Sequence, residues 1–241
     1  MNIRIVSDIH TEFHPDRGLG WVEDQDPTGV DVLVIAGDLG SFETIPEVLA
    51  GLCKVYPHVV YVIGNHECWG HSFYEMAELR NRLNAFIPNL HWLHNDTVTI
   101  EGQRFLGTTM WFRDDPLNIL YKDGMNDFRF IKGFNRQVYD ENRKAVKFLQ
   151  KGIEQGDVVV THHLPSDLQT SVERKMDPLH RFYVCYMEGT ILAKNPALWF
   201  HGHSHDTQDY MLGQTRIRSN PYGYMGKALN AEHEFDLLVK L

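Results

Sequence analysis

Five times along the chain a short β-branched run stops at polar residues. "IRIVS" runs into Asp8 and His10, "VLVIAG" into Asp38, and "VVYVIG" into Asn65 and His66. "DVVVT" runs into His162 and His163, and "ALWFHG" into His203 and His205. Continuous apolar runs of this length suit strands buried on both faces. Between them, residues 43–55, 71–87 and 137–155 space their apolar side chains at three and four, which predicts helices. Alternating strands and helices predict right-handed crossovers and a layered α/β fold with a largely parallel sheet. Sites in such sheets form beyond the carboxyl ends of the strands, so the pattern gathers all five polar clusters along one edge.

Two further stretches alternate as hairpins do, 97–109 around Glu101-Gly102 and 210–221 around Gly213-Gln214, and "EFDLLVKL" predicts a final strand. Residues 110–136 follow no period and carry Trp111, Phe112, Tyr121, Phe128 and Phe130, for which local packing is the expectation. No repeat, low-complexity segment or Gly/Pro/Ser-rich linker divides the chain, and residues 1–241 are expected to form one domain.

Composition narrows the function classes. At 43% apolar and 23% charged residues the chain is of the soluble globular type. Its formal charge of −9 argues against non-specific affinity for duplex nucleic acid or an anionic membrane. The Lys/Arg-rich stretch 113–151 falls largely on the predicted third helix, where a solvated face explains it. Three scattered cysteines, Cys53, Cys68 and Cys185, make neither a disulfide framework nor a thiolate zinc site. With no apolar run of membrane length and no signal-peptide pattern in "MNIRIVSD", a cytoplasmic location is expected.

The histidines carry the chemistry. "FHGHSHD" sets His201, His203 and His205 at alternate positions within five residues. Imidazoles crowded this closely repel when protonated, and a bound cation relieves that repulsion. A metal site needs further ligands, and the other strand ends offer them.

In order, Asp8-x-His10, Gly37-Asp38, Gly64-Asn65-His66-Glu67, His162-His163 and Gly202-His203-x-His205 resemble the signature of the calcineurin-like metallophosphoesterases. Five separated motifs in this order, each after a strand, make the resemblance specific; it extends from residue 5 to about 224. "MNDFRFIKGF" (125–134) and "TRIRSNPYGY" (215–224) are similar to stretches of a bacterial and phage branch whose members mostly lack an assigned substrate. The resemblance implies an α/β fold of two packed mixed β-sheets flanked by helices, a four-layer αββα sandwich with a dinuclear metal site at the strand C-terminal edge. It implies one metal held by Asp8, His10, Asp38 and His205, and a second held by Asp38, Asn65, His162 and His203, with Asp38 bridging.

Mixed carboxylate and imidazole ligands suit divalent transition ions, Mn²⁺ first with Fe²⁺ or Zn²⁺ as alternatives, over Mg²⁺ or Ca²⁺. Such a pair can hold a bridging hydroxide and aim it at phosphorus. The resemblance makes His66 the catalytic acid for the leaving oxygen, a role worth roughly 10²–10⁴-fold. Alternation along "DVVVT" leaves open which of His162 and His163 faces the metals. The family pattern favours His162 and leaves His163 for the substrate phosphate or a supporting place. His201 is read as structural or supporting, Glu67 as a residue that caps or orients its turn, and Asn220, before Pro221, as a turn residue.

The chain also departs from relatives. Protein Ser/Thr phosphatases of this family carry an aspartate and an arginine shortly after the GD motif and an arginine directly before GNHE. "GDLGSFET" lacks the pair, and Ile63 occupies the last position. The usual phosphate-gripping arginine and the usual partner of the catalytic histidine are therefore missing. Arg129 or Arg216 is the candidate replacement guanidinium, with a surface ion pair as the alternative. No length is left after residue 224 for the capping domain of the family's DNA-processing nucleases. The expected function is hydrolysis of a small, nucleotide-type phosphodiester. The alternatives are a phosphomonoesterase of the same family and a catalytically silent metal-dependent binding module.

Overall fold

A computed structural model describes residues 1–241. In chain order the strands are β1 (Asn2–Val6), β2 (Val32–Ala36), β3 (Val59–Val62), β4 (Leu90–Trp92), β5 (Asp96–Ile100), β6 (Gln103–Thr108), β7 (Val158–Thr161), β8 (Leu198–His201), β9 (Gln208–Leu212), β10 (Thr215–Ser219), β11 (Gly223–Tyr224), β12 (Ala228–Leu229) and β13 (Leu238–Lys240). The helices are α1 (Leu19–Glu23), α2 (Ile45–Val55), α3 (Phe73–Phe86), α4 (Asn118–Tyr121), α5 (Asp127–Phe130), α6 (Phe134–Gly152), α7 (Val172–Met176) and α8 (Glu188–Lys194).

The strands form two large sheets where the apolar pattern alone predicted one largely parallel sheet. The first has the order β13-β1-β2-β3-β4, parallel from β1 to β4 with β13 antiparallel at its edge. The second has the order β5-β6-β7-β8-β10-β9, parallel from β6 through β10 and antiparallel at both edges. The five chemistry-bearing strands are thus divided, β1, β2 and β3 in one sheet and β7 and β8 in the other.

Side-chain alternation builds the layers. Ile3, Ile5, Val32, Val34, Val60 and Val62 of the first sheet pack against Phe105, Val158, Val160, Leu198 and Phe200 of the second, all of them buried. The intervening residues face outward. Leu33, Ile35 and Tyr61 meet Val48, Leu49 and Leu52 of α2 and Met76, Leu79 and Leu83 of α3. On the far side Leu106, Val159 and Trp199 meet Leu149 of α6 and Ile191 of α8. Each central strand is covered on both faces, which is why its sequence is apolar without alternation. The result is the mixed two-sheet α/β sandwich with helices on its outer faces.

Helix α3 opens with a capping box, in which Ser72 accepts from the Glu75 amide while the Glu75 carboxylate accepts from the Ser72 amide. The stretch 110–136 contains α4 and α5. Trp111, Phe112 and Phe128 pack with Phe134, whereas Tyr121 and Phe130 are exposed at 36% and 48%. No helix is long and apolar enough to cross a membrane.

Asn220 does more than terminate a turn. Its side chain is buried and donates to the carbonyls of Ile5 and Glu234, both at 2.9 Å, while its Oδ1 accepts from the Glu234 amide at 3.0 Å. It bolts the C-terminal segment to β1 just before Asp8. Asn220→Ala leaves three backbone groups without their partner, so we expect a stability loss of roughly 2–3 kcal/mol. Denaturant unfolding checks this, and a loss under about 0.5 kcal/mol would assign Asn220 back to a simple turn.

Candidate metal centre

Beyond β1, β2 and β8 the backbone turns sharply. Asp8 (φ 53°), His10 (φ 52°), Asp38 (φ 52°), His203 (φ 70°) and His205 (φ 58°) all take left-handed conformations. Such residues cost on the order of 1–3 kcal/mol each and persist where the surroundings over-determine them. Here the loops are tied to one another: the Asp8 amide donates to Gly37 O, His10 to Asp38 O, and Gly202 to His162 O, each at 3.0 Å. The last of these joins the ends of β7 and β8. Asp8 in turn accepts from the His203 amide at 3.0 Å, which links the first sheet to the second.

Two clusters of side chains result. Asp8, His10 and His205 form one, with His205 Nε2 at 3.5 Å from Asp8 Oδ1 and 3.1 Å from His10 Nε2. Asp38, His162 and His203 form the other, with His162 Nε2 at 3.4 Å from Asp38 Oδ2 and 3.1 Å from Asn65 Oδ1. Asp38 lies between them, its Oδ2 also 3.8 Å from His10 Nε2. His66 stands with His10 and Asp38 in a third group of suitable spacing. Asp8, His10, Asp38, Asn65, His66, His162, His203 and His205 are therefore brought to one place.

The surroundings fix which atoms face inward. His162 Nδ1 donates to Ala36 O at 2.9 Å, leaving Nε2 toward Asp38 and Asn65. Asn65 donates from Nδ2 to Asp127 at 2.9 Å, which turns its Oδ1 toward His162. Trp69 donates to the same Asp127 oxygen at 2.8 Å. Glu67 is fully buried and accepts from the amides of Leu39 and Gly64 and from Tyr61, clamping the ends of β2 and β3 together. Burial and the charge of Asp38 push Glu67 up to about 8.

Electrostatics concentrate on Asp38. Burial would raise its carboxyl, but positive charge on His162, His66 and His10 holds it well below the usual range. Burial lowers His162, yet attraction to Asp38 outweighs it and the ring is raised. His203 is lowered by burial and by repulsion from His163 and His162, and its buried Nε2 has no hydrogen-bond partner. A buried carboxylate that demands positive charge, ringed by imidazole and amide groups with one orphaned nitrogen, fits a divalent cation.

A cavity of about 150 Å³ opens here, lined by Asp38, Asn65, His66, His203 and His205, by Trp69, Tyr183 and Tyr224, and by residues 124–127. Tyr183 stacks on His203 at 4.4 Å, and the Tyr224 ring lies 4.4 Å from His10. His66 stacks on Trp69 at 3.7 Å, and its Nδ1 is 2.8 Å from Glu12. Burial lowers His66, while Asp38 and Glu12 raise it to a net upward shift. Burial opposes ionisation of Glu12, but hydrogen bonds from His10 and His66 bring it down to about 2.

Three candidates lie elsewhere. Arg129 is exposed, donates to Asp123 O at 2.7 Å and does not line the cavity. It sits on α5 beyond Asp127, and the helix turns it outward. His163 is fully buried beneath His203, hydrogen-bonded to Thr109 O at 3.1 Å and packed on Trp111, outside the cavity lining. Burial and the charge of His162 lower it to about 3. Arg216 forms a two-point ion pair with Asp209, both contacts at 2.7 Å. Glu12, Trp69, Asp127, Tyr183 and Tyr224 are the site residues that the strand-end pattern did not single out. Asp127 and Tyr224 lie within the stretches 125–134 and 215–224 that resemble the family branch, and Glu12 sits two residues from His10, which are the signals the sequence offers.

Glycine makes the close approach possible. A Cβ at Gly64 would collide with Asp38 Oδ1 and come within 2.6 Å of His162 Nε2, whereas one at Gly189 in α8 would meet nothing within 4 Å. Gly64→Ala is therefore expected to weaken divalent-metal binding by about tenfold or more, and Gly189→Ala to leave it unchanged. Competition with a chromogenic chelator measures both, and equal affinity in the two variants would contradict this packing argument.

Residues 1–207 match the family model described as calcineurin-like phosphoesterase. Phosphopantetheinyl hydrolase from Mycobacterium tuberculosis shares the fold with a TM-score of 0.73, at 16% identity over 92% of this chain and 89% of that one. A protein of Thermus thermophilus superposes with a TM-score of 0.58, at 14% identity over 91% of this chain and 88% of that one. No curated protein is significantly similar to the chain. The chain belongs to the calcineurin-like phosphoesterase family, whose common chemistry is metal-dependent hydrolysis of phosphoesters.

Proposed function

We propose that residues 1–241 form one catalytic domain that hydrolyses small phosphodiesters of the nucleotide type. Asp8, His10, Asp38 and His205 would hold one divalent ion, Mn²⁺ before Fe²⁺ or Zn²⁺. Asp38, Asn65, His162 and His203 would hold a second. Bound ions would supply a hydroxide at neutral pH and neutralise charge on the phosphoryl oxygens. The protein's own groups do the rest. As the bond from phosphorus to the leaving oxygen breaks, its electron pair passes to that oxygen and His66 Nε2–H supplies the proton. Trp69, Tyr183 and Tyr224 wall the cavity and orient what enters it.

The observation that carries the choice of ester is the cavity's charge. Its lining contains the carboxylates of Asp38 and Asp127 together with amide, imidazole and phenol groups, but no arginine or lysine. A monoester dianion is best gripped by a guanidinium in addition to metals, whereas a diester carries one charge and demands less. The overall charge of −9 further disfavours polyanions at low salt.

With Mn²⁺ we expect kcat/KM for bis-nitrophenyl phosphate to equal or exceed that for nitrophenyl phosphate. Arg129→Ala should leave the ratio unchanged, because its guanidinium is engaged with Asp123 O away from the cavity. A strong monoester preference that vanishes in Arg129→Ala would overturn the diesterase reading and identify the missing clamp.

A further inference from the structure

We propose that Glu12 is the positioning residue of His66, replacing from the end of β1 the partner that the turn after Asp38 lacks. The inference rests on His66 being the acid of the proposed reaction. Glu12 lies on the single helical turn Thr11–Phe13 that follows β1. Its Oε1 is 2.8 Å from His66 Nδ1 and 3.2 Å from His10 Nδ1, and the side chain is 18% exposed. No other carboxylate comes within 4.0 Å of either His66 ring nitrogen. The segment after Asp38 reads Leu39-Gly40-Ser41-Phe42 and offers no acid to this ring.

One oxygen accepting from two rings has a chemical consequence. An ionised carboxylate has no proton to give, so both Nδ1 atoms are donors. His10 then presents the lone pair of Nε2 to a cation. His66, gripped at Nδ1 by Glu12 and stacked on Trp69, keeps Nε2 as the atom free to exchange a proton with a leaving oxygen. The two rings are 4.3 Å apart and steeply inclined, at 70°. Glu12 therefore sets a ligand and the acid with the same atom, and a shift of this side chain disturbs both.

The test uses the ratio of kcat/KM for a phenyl ester to that for the matching nitrophenyl ester, which does not depend on the metal-loaded fraction. A phenolate leaving group needs protonation more than nitrophenolate does. Removing a carboxylate that orients a histidine typically costs about 10–100-fold, so Glu12→Ala should lower the ratio about tenfold or more. Glu12→Gln, which keeps an acceptor oxygen, should restore most of it, and Glu12→Ala should add little in a His66→Ala background. Independently of activity, long-range ¹⁵N–¹H spectra of the zinc-loaded protein should place the neutral His66 proton on Nδ1, and on Nε2 in Glu12→Ala. A ratio and tautomer unchanged by Glu12→Ala, with the ratio lowered by His66→Ala, would overturn the role of Glu12 alone. A ratio unchanged by His66→Ala would overturn the acid reading, and this inference with it.

Discussion

The carboxylate of Asp38 sits at the seam between two sheets, buried almost completely, with no lysine or arginine beside it. An ionised group in that position requires positive charge close by. His10 approaches it from β1, the amide of His66 from beyond β3, and His162 from β7. The architecture around the site serves that requirement. Two sheets must converge so that donors from both reach one oxygen pair, and the cross-links Asp8 to His203 and His162 to Ala36 hold that convergence.

Close convergence carries a conformational cost. Left-handed turns at Asp8, His10, Asp38, His203 and His205 bend the chain just beyond the strand ends. Gly37, Gly64 and Gly202 leave room where any side chain would strike His162, Asp38 or Asp8. The sandwich core, closed on both faces of every central strand, is the source of stability that allows such strain. Glu67, Asp127 and Asn220 act as bolts, Glu67 and Asn220 through both ends of their polar groups and Asp127 through Oδ1, which takes bonds from Asn65 and Trp69.

The strand ends were legible because period and chemistry coincide: an apolar run that stops at Asp or His locates both a strand and its exit. Helices α2 and α3 fell within two residues of the expected bounds, while α6 runs Phe134–Gly152 against an expected 137–155. Sheet membership was not legible. Whether β7 pairs with β3 or with β6 depends on contacts far apart in sequence, and the hydrophobic period is the same in either case. The three-residue β4 is too short to show a period, and "EFDLLVKL" contributes only Leu238–Lys240. Arg129 illustrates a different limit. Its place near a motif suggested reach toward the site, but one helical turn directs Asp127 inward and Arg129 outward. Glu12 was hidden for the opposite reason, since a glutamate in a polar turn has no pattern to distinguish it until His66 is folded against it.

In the proposed dinuclear site Asp38 would be a carboxylate shared by two cations. Anomalous diffraction from Mn²⁺-grown crystals, collected above and below the manganese edge, measures this directly by giving both the number and the place of the ions. Two peaks per chain are expected, one among Asp8, His10 and His205 and one among Asn65, His162 and His203, with Asp38 between them. A single peak at full occupancy, or two peaks of which one lies away from Asp38, would contradict that arrangement.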